Sequence, residues 1–173
     1  EAIVLAKIDT DTGVRKEERR EIWNGTGGGW LESPHVYHIG DYYYILAAEG
    51  GTNYTHMETA ARSKNIYGPY ENCPYNPVLT NRNDTTKQIQ CAGHADLIDD
   101  ENGNWWMVHL GTRSVLKSKT PLGRETFLTP VEWKKGWPVA VNRRAKLENE
   151  LDRIVCRTKE ENAQNKNAYG QIE

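Results

Sequence analysis

Up to residue 141, apolar and polar positions in this chain come in short runs broken by turn-forming clusters, and no helical period is sustained. Residues 2–8 make a first apolar-rich run. Asp9-Thr10-Asp11-Thr12-Gly13 then supplies turn chemistry, and a charged stretch leads to Glu21-Ile22-Trp23, which predicts a first hairpin. Residues 36–39 and 42–48, joined by Gly40-Asp41, predict a second hairpin, whose tyrosines and β-branched residues suit a pleated, partly buried surface. Residues 95–98 and 105–110 predict a third, joined through Asp99-Asp100-Glu101-Asn102-Gly103-Asn104. Residues 126–133, the turn Lys134-Lys135-Gly136 and residues 137–141 predict a fourth. After residue 141 the character changes: Leu147, Leu151 and Ile154 fall at helical spacing in a segment rich in charge and amide. Residues 142–173 therefore read as a charged tail holding a short amphipathic helix or disordered chain.

The second and third hairpins begin alike. A polar loop ends in His35 or His94, and the second strand opens on Tyr42-Tyr43-Tyr44 or Trp105-Trp106. Recurrence of a four-stranded unit at roughly 40 to 50 residues or somewhat more is the mark of a β-propeller, in which each unit is a blade and the leading loops line the axis. A β-sandwich would show similar hairpins; matched polar loops favour the propeller. The fold class expected is all-β, a partial propeller of about three blades over residues 1–141.

Composition narrows the classes. A chain of 173 residues with net charge −2 and no Pro-, Gly- or Ser-rich interior linker reads as one domain. Its basic residues are scattered until the last thirty positions, so nucleic acid is not an expected partner. The longest apolar runs are far short of a membrane span, and the N-terminus lacks the order of a signal peptide. A strand-like run so close to Glu1, with no Met, suggests a chain that begins inside a larger protein. Cys73, Cys91 and Cys156 are an odd set without C-x-x-C spacing, which argues against a zinc site and a full disulfide framework.

Glu32 is the first candidate for proton chemistry. It lies in Trp30-Leu31-Glu32-Ser33-Pro34-His35, where an irregular segment enters a hairpin, and an aromatic setting that excludes water can raise a carboxyl pKa. Glu49 and Glu125 are rivals, but turn or Arg partners suit them to structural bonds. Trp30 lies in a loop where its ring could stack on a ligand, whereas Trp105, Trp106, Trp133 and Trp137 fall into strands as core residues. Residues 25–29 are glycine-rich, yet they lack a Walker lysine and a following helix, so a flexible loop is expected there.

Four segments then occur in order: Glu32-Ser33-Pro34-His35, Ala48-Glu49-Gly50-Gly51-Thr52, Ala92-Gly93-His94-Ala95-Asp96 and Leu122-Gly123-Arg124-Glu125-Thr126. With Ala60-Ala61-Arg62-Ser63, Tyr67-Gly68-Pro69-Tyr70-Glu71 and Asn76-Pro77-Val78-Leu79-Thr80, they resemble glycoside hydrolase family 43, in its β-xylosidase and α-L-arabinofuranosidase branch, over about residues 3–141. The resemblance implies a five-bladed propeller that hydrolyses xylosidic or arabinosidic bonds with inversion, acting on a xylo-oligosaccharide or arabinosyl substrate. It implies Glu32 as proton donor and Arg124 as a substrate-contacting arginine, with an inter-blade ion pair as the other reading of Arg124. His94 would approach the sugar or, through water, a structural calcium; no cofactor is required for the chemistry. Thr52 either faces the site or caps a turn. The family's general base and a further aspartate that tunes the acid belong to N-terminal blades with no counterpart here. The polypeptide alone is therefore expected to be inactive, and a non-catalytic carbohydrate-binding or scaffold propeller fragment is the alternative.

Overall fold

The computed structural model describes residues 1–115, 119–141, 144 and 145. The helix-like spacing of Leu147, Leu151 and Ile154, and Cys156, lie outside the described residues. Among the described residues eleven strands run in chain order as β1 Ile3–Leu5, β2 Arg20–Trp23, β3 Glu32–Ile39, β4 Tyr42–Glu49, β5 Met57–Ser63, β6 Glu71–Asn72, β7 Leu79–Thr80, β8 Ile89–Asp99, β9 Trp105–Arg113, β10 Arg124–Trp133 and β11 Pro138–Ala140. They form an antiparallel β1-β2 ribbon and two antiparallel meanders, β3-β4-β5-β6 with β7 also on β5, and β8-β9-β10-β11. In each meander, spatial order follows chain order, as in a propeller blade whose first strand is innermost.

β4 explains how the sheets stack. Side chains alternate across a strand, and both faces of β4 are apolar. Tyr44 and Leu46 enter one core with Ala60, Leu79, Ala95, Leu97, Met107 and Trp137, between the two meanders. Ile45 and Ala47 enter a second with Ile3, Ile22, Trp23 and Ala61, against the ribbon. A strand covered on both sides needs the continuous apolar run that the sequence shows. The first core continues past β11 to Ala145, whose carbonyl accepts from Asn81 Nδ2 at 3.1 Å.

The outer edges are tied by polar contacts that only the fold brings together. The Arg62 guanidinium sits 4.4 Å from the Tyr42 ring centre and 4.2 Å from that of Trp137, with Glu71 at 2.7 Å. Asn76 stands in for a missing strand beside β5: its Oδ1 accepts from Ala60 N at 2.8 Å and its Nδ2 donates to Ala60 O at 2.9 Å. That amide bridges the gap between β6 and β7.

Candidate functional site

The inner strands β3 and β8 carry the same defect. Pairing of β3 with β4 jumps from Glu32 opposite Ala48 to His35 opposite Leu46, and pairing of β8 with β9 jumps from Gly93 opposite Leu110 to Asp96 opposite Val108. Each jump is a β-bulge, which re-aims the side chains beside it. Ser33 (φ 52°) and His94 (φ 55°) both take the left-handed conformation that non-glycine residues avoid, as do Trp30 (φ 51°) and Cys91 (φ 56°) three positions earlier. The bulges turn Ser33 and His94 toward each other, 61 residues apart in sequence, with Ser33 Oγ 2.6 Å from His94 Nε2.

A polar seam continues from this contact. His35 Nδ1 lies 2.8 Å from Asp96 Oδ1, His35 Nε2 lies 3.5 Å from Ser33 Oγ, and the Tyr37 hydroxyl accepts from Leu97 N at 2.8 Å. Burial pushes the Tyr37 hydroxyl up to about 12. The sequence matched His35 with His94; the bulges instead set Ser33 against His94 and Asp96 against His35.

The described residues do not enclose Glu32: it is exposed at the head of β3, and Trp30 beside it is 64% exposed. Trp30 packs over the second loop, its Cε3 atom 3.4 Å from where a Cβ on Gly51 would stand. Gly50 N donates to Gly29 O at 2.8 Å, so the two loops travel together and bring Thr52 to the Trp30 side. Thr52 is exposed, and Thr55 caps this turn through Gly50 O. Arg124, exposed at the start of β10, makes no ion pair among the described residues; the neighbouring Glu125 takes Arg113 at 3.1 Å.

Glu32, His94 and Arg124 converge electrostatically on a residue that sequence reasoning missed. His56, immediately before β5, is fully buried, and burial lowers its pKa while the charges of His94, Glu32 and Arg124 all reach its ring. Its Nδ1 lies 2.8 Å from the Cys91 carbonyl, so that nitrogen carries the proton and Nε2 is left an acceptor, with no partner among the described residues. A Cβ on Gly93 would stand 3.0 Å from the ring, which is why glycine occupies that place. Only the glycine before His94 hinted at a close neighbour.

Two buried carboxylates support the loops. Glu49 accepts from Thr26 N (2.8 Å), Thr26 Oγ1 (3.0 Å), Gly28 N (2.6 Å) and Thr59 Oγ1 (2.7 Å). The loop at residues 25–29 is therefore tethered around a carboxylate of its own chain rather than flexible. Glu58 on β5 is completely buried, and burial pushes its pKa well above the usual carboxylate range against the opposing pull of the Ala95 and His94 N–H groups. Among the described residues no three His, Cys, Asp or Glu side chains converge as direct metal ligands, and His94 Nε2 faces Ser33 Oγ at 2.6 Å.

Residues 1–138 match Glycosyl hydrolases family 43. A non-reducing end α-L-arabinofuranosidase of Bacteroides ovatus is 50% identical over 138 residues, 79% of this chain and 26% of that protein. A β-xylosidase of Bacillus subtilis is 43% identical over 129 residues, 69% of this chain and 24% of the relative. Among solved structures, the Bacteroides ovatus xyloglucan PUL GH43B protein superimposes with a TM-score of 0.80 at 47% identity, over 84% of this chain and 29% of that one. The chain spans about a quarter of the length of these curated relatives. The propeller expected from the hairpins is the architecture of these neighbours, five-bladed in full. The chain belongs to glycosyl hydrolase family 43.

Proposed function

We propose that this chain forms the proton-donor and sugar-contacting side of an inverting glycosidase site for xylosidic or arabinosidic bonds of hemicellulose. The observation that carries this reading is the 2.6 Å contact of Ser33 Oγ with His94 Nε2, which joins the Glu32 segment of β3 to the His94 bulge of β8, with the charges of Glu32, His94 and Arg124 all reaching the buried His56. The names of the relatives, an arabinofuranosidase and a xylosidase, support the pentoside class.

In this reading Glu32 carries a proton to the leaving oxygen, a task suited to a carboxyl group at the open head of an inner strand. Arg124, free of an ion pair among the described residues, offers its fork of donors to sugar hydroxyls. Trp30 presents a ring face for stacking, with Thr52 beside it, and His94 approaches from the neighbouring blade.

Inversion also needs a second carboxylate roughly 6.5 to 9.5 Å away to activate water. The carboxylates around the Glu32 segment are committed elsewhere: Glu49 holds a loop, Asp96 pairs with His35 and Glu58 is sealed in the core. In this reading none of these three carboxylates activates the water, and the chain by itself does not cleave pentosides.

The test compares the protein carrying this chain, its Glu32→Gln variant and the chain alone on aryl and alkyl β-xylosides and α-arabinofuranosides. Loss of alkyl pentoside turnover in Glu32→Gln by about a hundredfold or more is the expected result. Unchanged turnover of the alkyl substrate would remove Glu32 from the role.

A further inference from the structure

The two bulges pose one problem and answer it differently. A bulge leaves main-chain N–H groups outside the ladder, and a buried N–H needs an acceptor. In β3 the residue after Ser33 is Pro34, which has no N–H to satisfy. In β8 the corresponding residue after His94 is Ala95, fully buried, with an N–H that has no ladder partner. Glu58 reaches across from β5 to meet it: Oε2 accepts from Ala95 N at 2.9 Å, and the His94 N–H also pulls on the carboxyl group. Its other oxygen, Oε1, is buried without a partner among the described residues, so the carboxyl has no second task.

We propose that Glu58 is the positioning residue of His94: from β5 its carboxyl group holds the Ala95 N–H of the β8 bulge and so fixes the backbone from which the His94 imidazole faces Ser33. This rests on the sugar-contacting role given to His94 above. The burial of Glu58 fits the task, because a neutral carboxyl can accept the Ala95 N–H without placing a bare charge beside Asp96 and Glu49, whose charges also reach it. The left-handed backbone of His94 is strained, and strain of that kind persists only where the surroundings over-determine it.

The experiment uses the protein carrying this chain, with steady-state kinetics on an aryl pentoside and the His94 imidazole resonances read by NMR. Glu58→Gln keeps an acceptor oxygen, and KM and the His94 signals stay close to those of the parent. Glu58→Leu removes the acceptor; KM rises roughly tenfold, kcat changes far less, and the His94 signals move. Adding Ala95→Pro to Glu58→Leu deletes the orphaned N–H as Pro34 does in β3, and brings KM and the His94 signals most of the way back. If Glu58→Leu alone does not fold, the same comparison is read on folding, and a double variant that also fails to fold overturns the proposal. A folded Glu58→Leu with unmoved His94 signals, or a double variant with no recovery, overturns it as well. His94→Asn separates the two ideas. If it leaves KM unchanged, the sugar-contacting role of His94 fails, while the effect of Glu58 on the His94 signals still decides the clamp.

Discussion

Ser33 Oγ and His94 Nε2 meet at 2.6 Å across the two inner strands, and each residue holds a left-handed backbone to do so. Ser33→Ala removes that partner without touching Glu32 or the bulge N–H groups. A hydrogen bond of this kind contributes about 1 kcal/mol, so pentoside kcat/KM in the protein carrying this chain is expected to fall about fivefold. Steady-state kinetics check it, and an unaltered kcat/KM would mean that the contact does not set His94.

Glu49→Ala should destabilise more than any exposed carboxylate change. It strands the N–H groups of Thr26 and Gly28 around an emptied site and leaves the Thr59 hydroxyl with only the Ala47 carbonyl. A loss of roughly 3 kcal/mol is expected in chemical denaturation, with new protease cleavage within residues 25–29. Protection of that loop in the variant would show that something else holds it.

Stability should fall as pH drops from neutrality, and His109 is a main reason. Burial lowers its pKa from 6.5 to about 4, and it stays neutral against Thr129 Oγ1 at 2.9 Å. Between those two values the unfolded chain binds the extra proton and the folded one does not, so stability is lost as pH falls through that window, by about 3 kcal/mol in all. Buried His56 acts in the same direction. Glu58 acts oppositely, since its folded pKa is raised and its contribution declines as pH rises above the ordinary 4.5. Melting temperatures of the parent and of His109→Gln between pH 4 and 7 test the sign; the variant should show the flatter curve.

Leu46→Ala opens a cavity where β4 meets the neighbouring blade. Leu46 is fully buried in the larger core, and truncation there should cost about 2–5 kcal/mol by denaturant titration. A cost below about 1 kcal/mol would show that the two meanders do not pack across β4.

The parts of the fold that were legible in the sequence are those governed by local pattern. The apolar run of β4 and its Gly40-Asp41 turn announce a buried strand, and Trp105-Trp106 announces β9. β5 does not announce itself: Met-Glu-Thr-Ala-Ala-Arg-Ser is short of β-branched residues and rich in alanine, and it becomes a strand only because β4, β6, β7 and Asn76 pair with it. For the site, Glu32, His94 and Arg124 sit in segments with recognisable chemistry. His56 and Glu58 were invisible because a buried polar residue gains its meaning from what the fold lays over it, here Gly93 and the bulge of β8. The offset between the blades was obscured for a similar reason, since a bulge shifts facing but leaves no mark on the alternation of a short strand.

The tether on Glu49 also bears on how the molecule meets a ligand. Because Thr26 and Gly28 spend their main-chain donors on an internal carboxylate, the loop leading to Trp30 and Glu32 takes its shape from the chain itself, ahead of the sugar contact proposed for it. Binding then orders little new chain, and the entropy that a loose loop would surrender on contact has already been surrendered in folding.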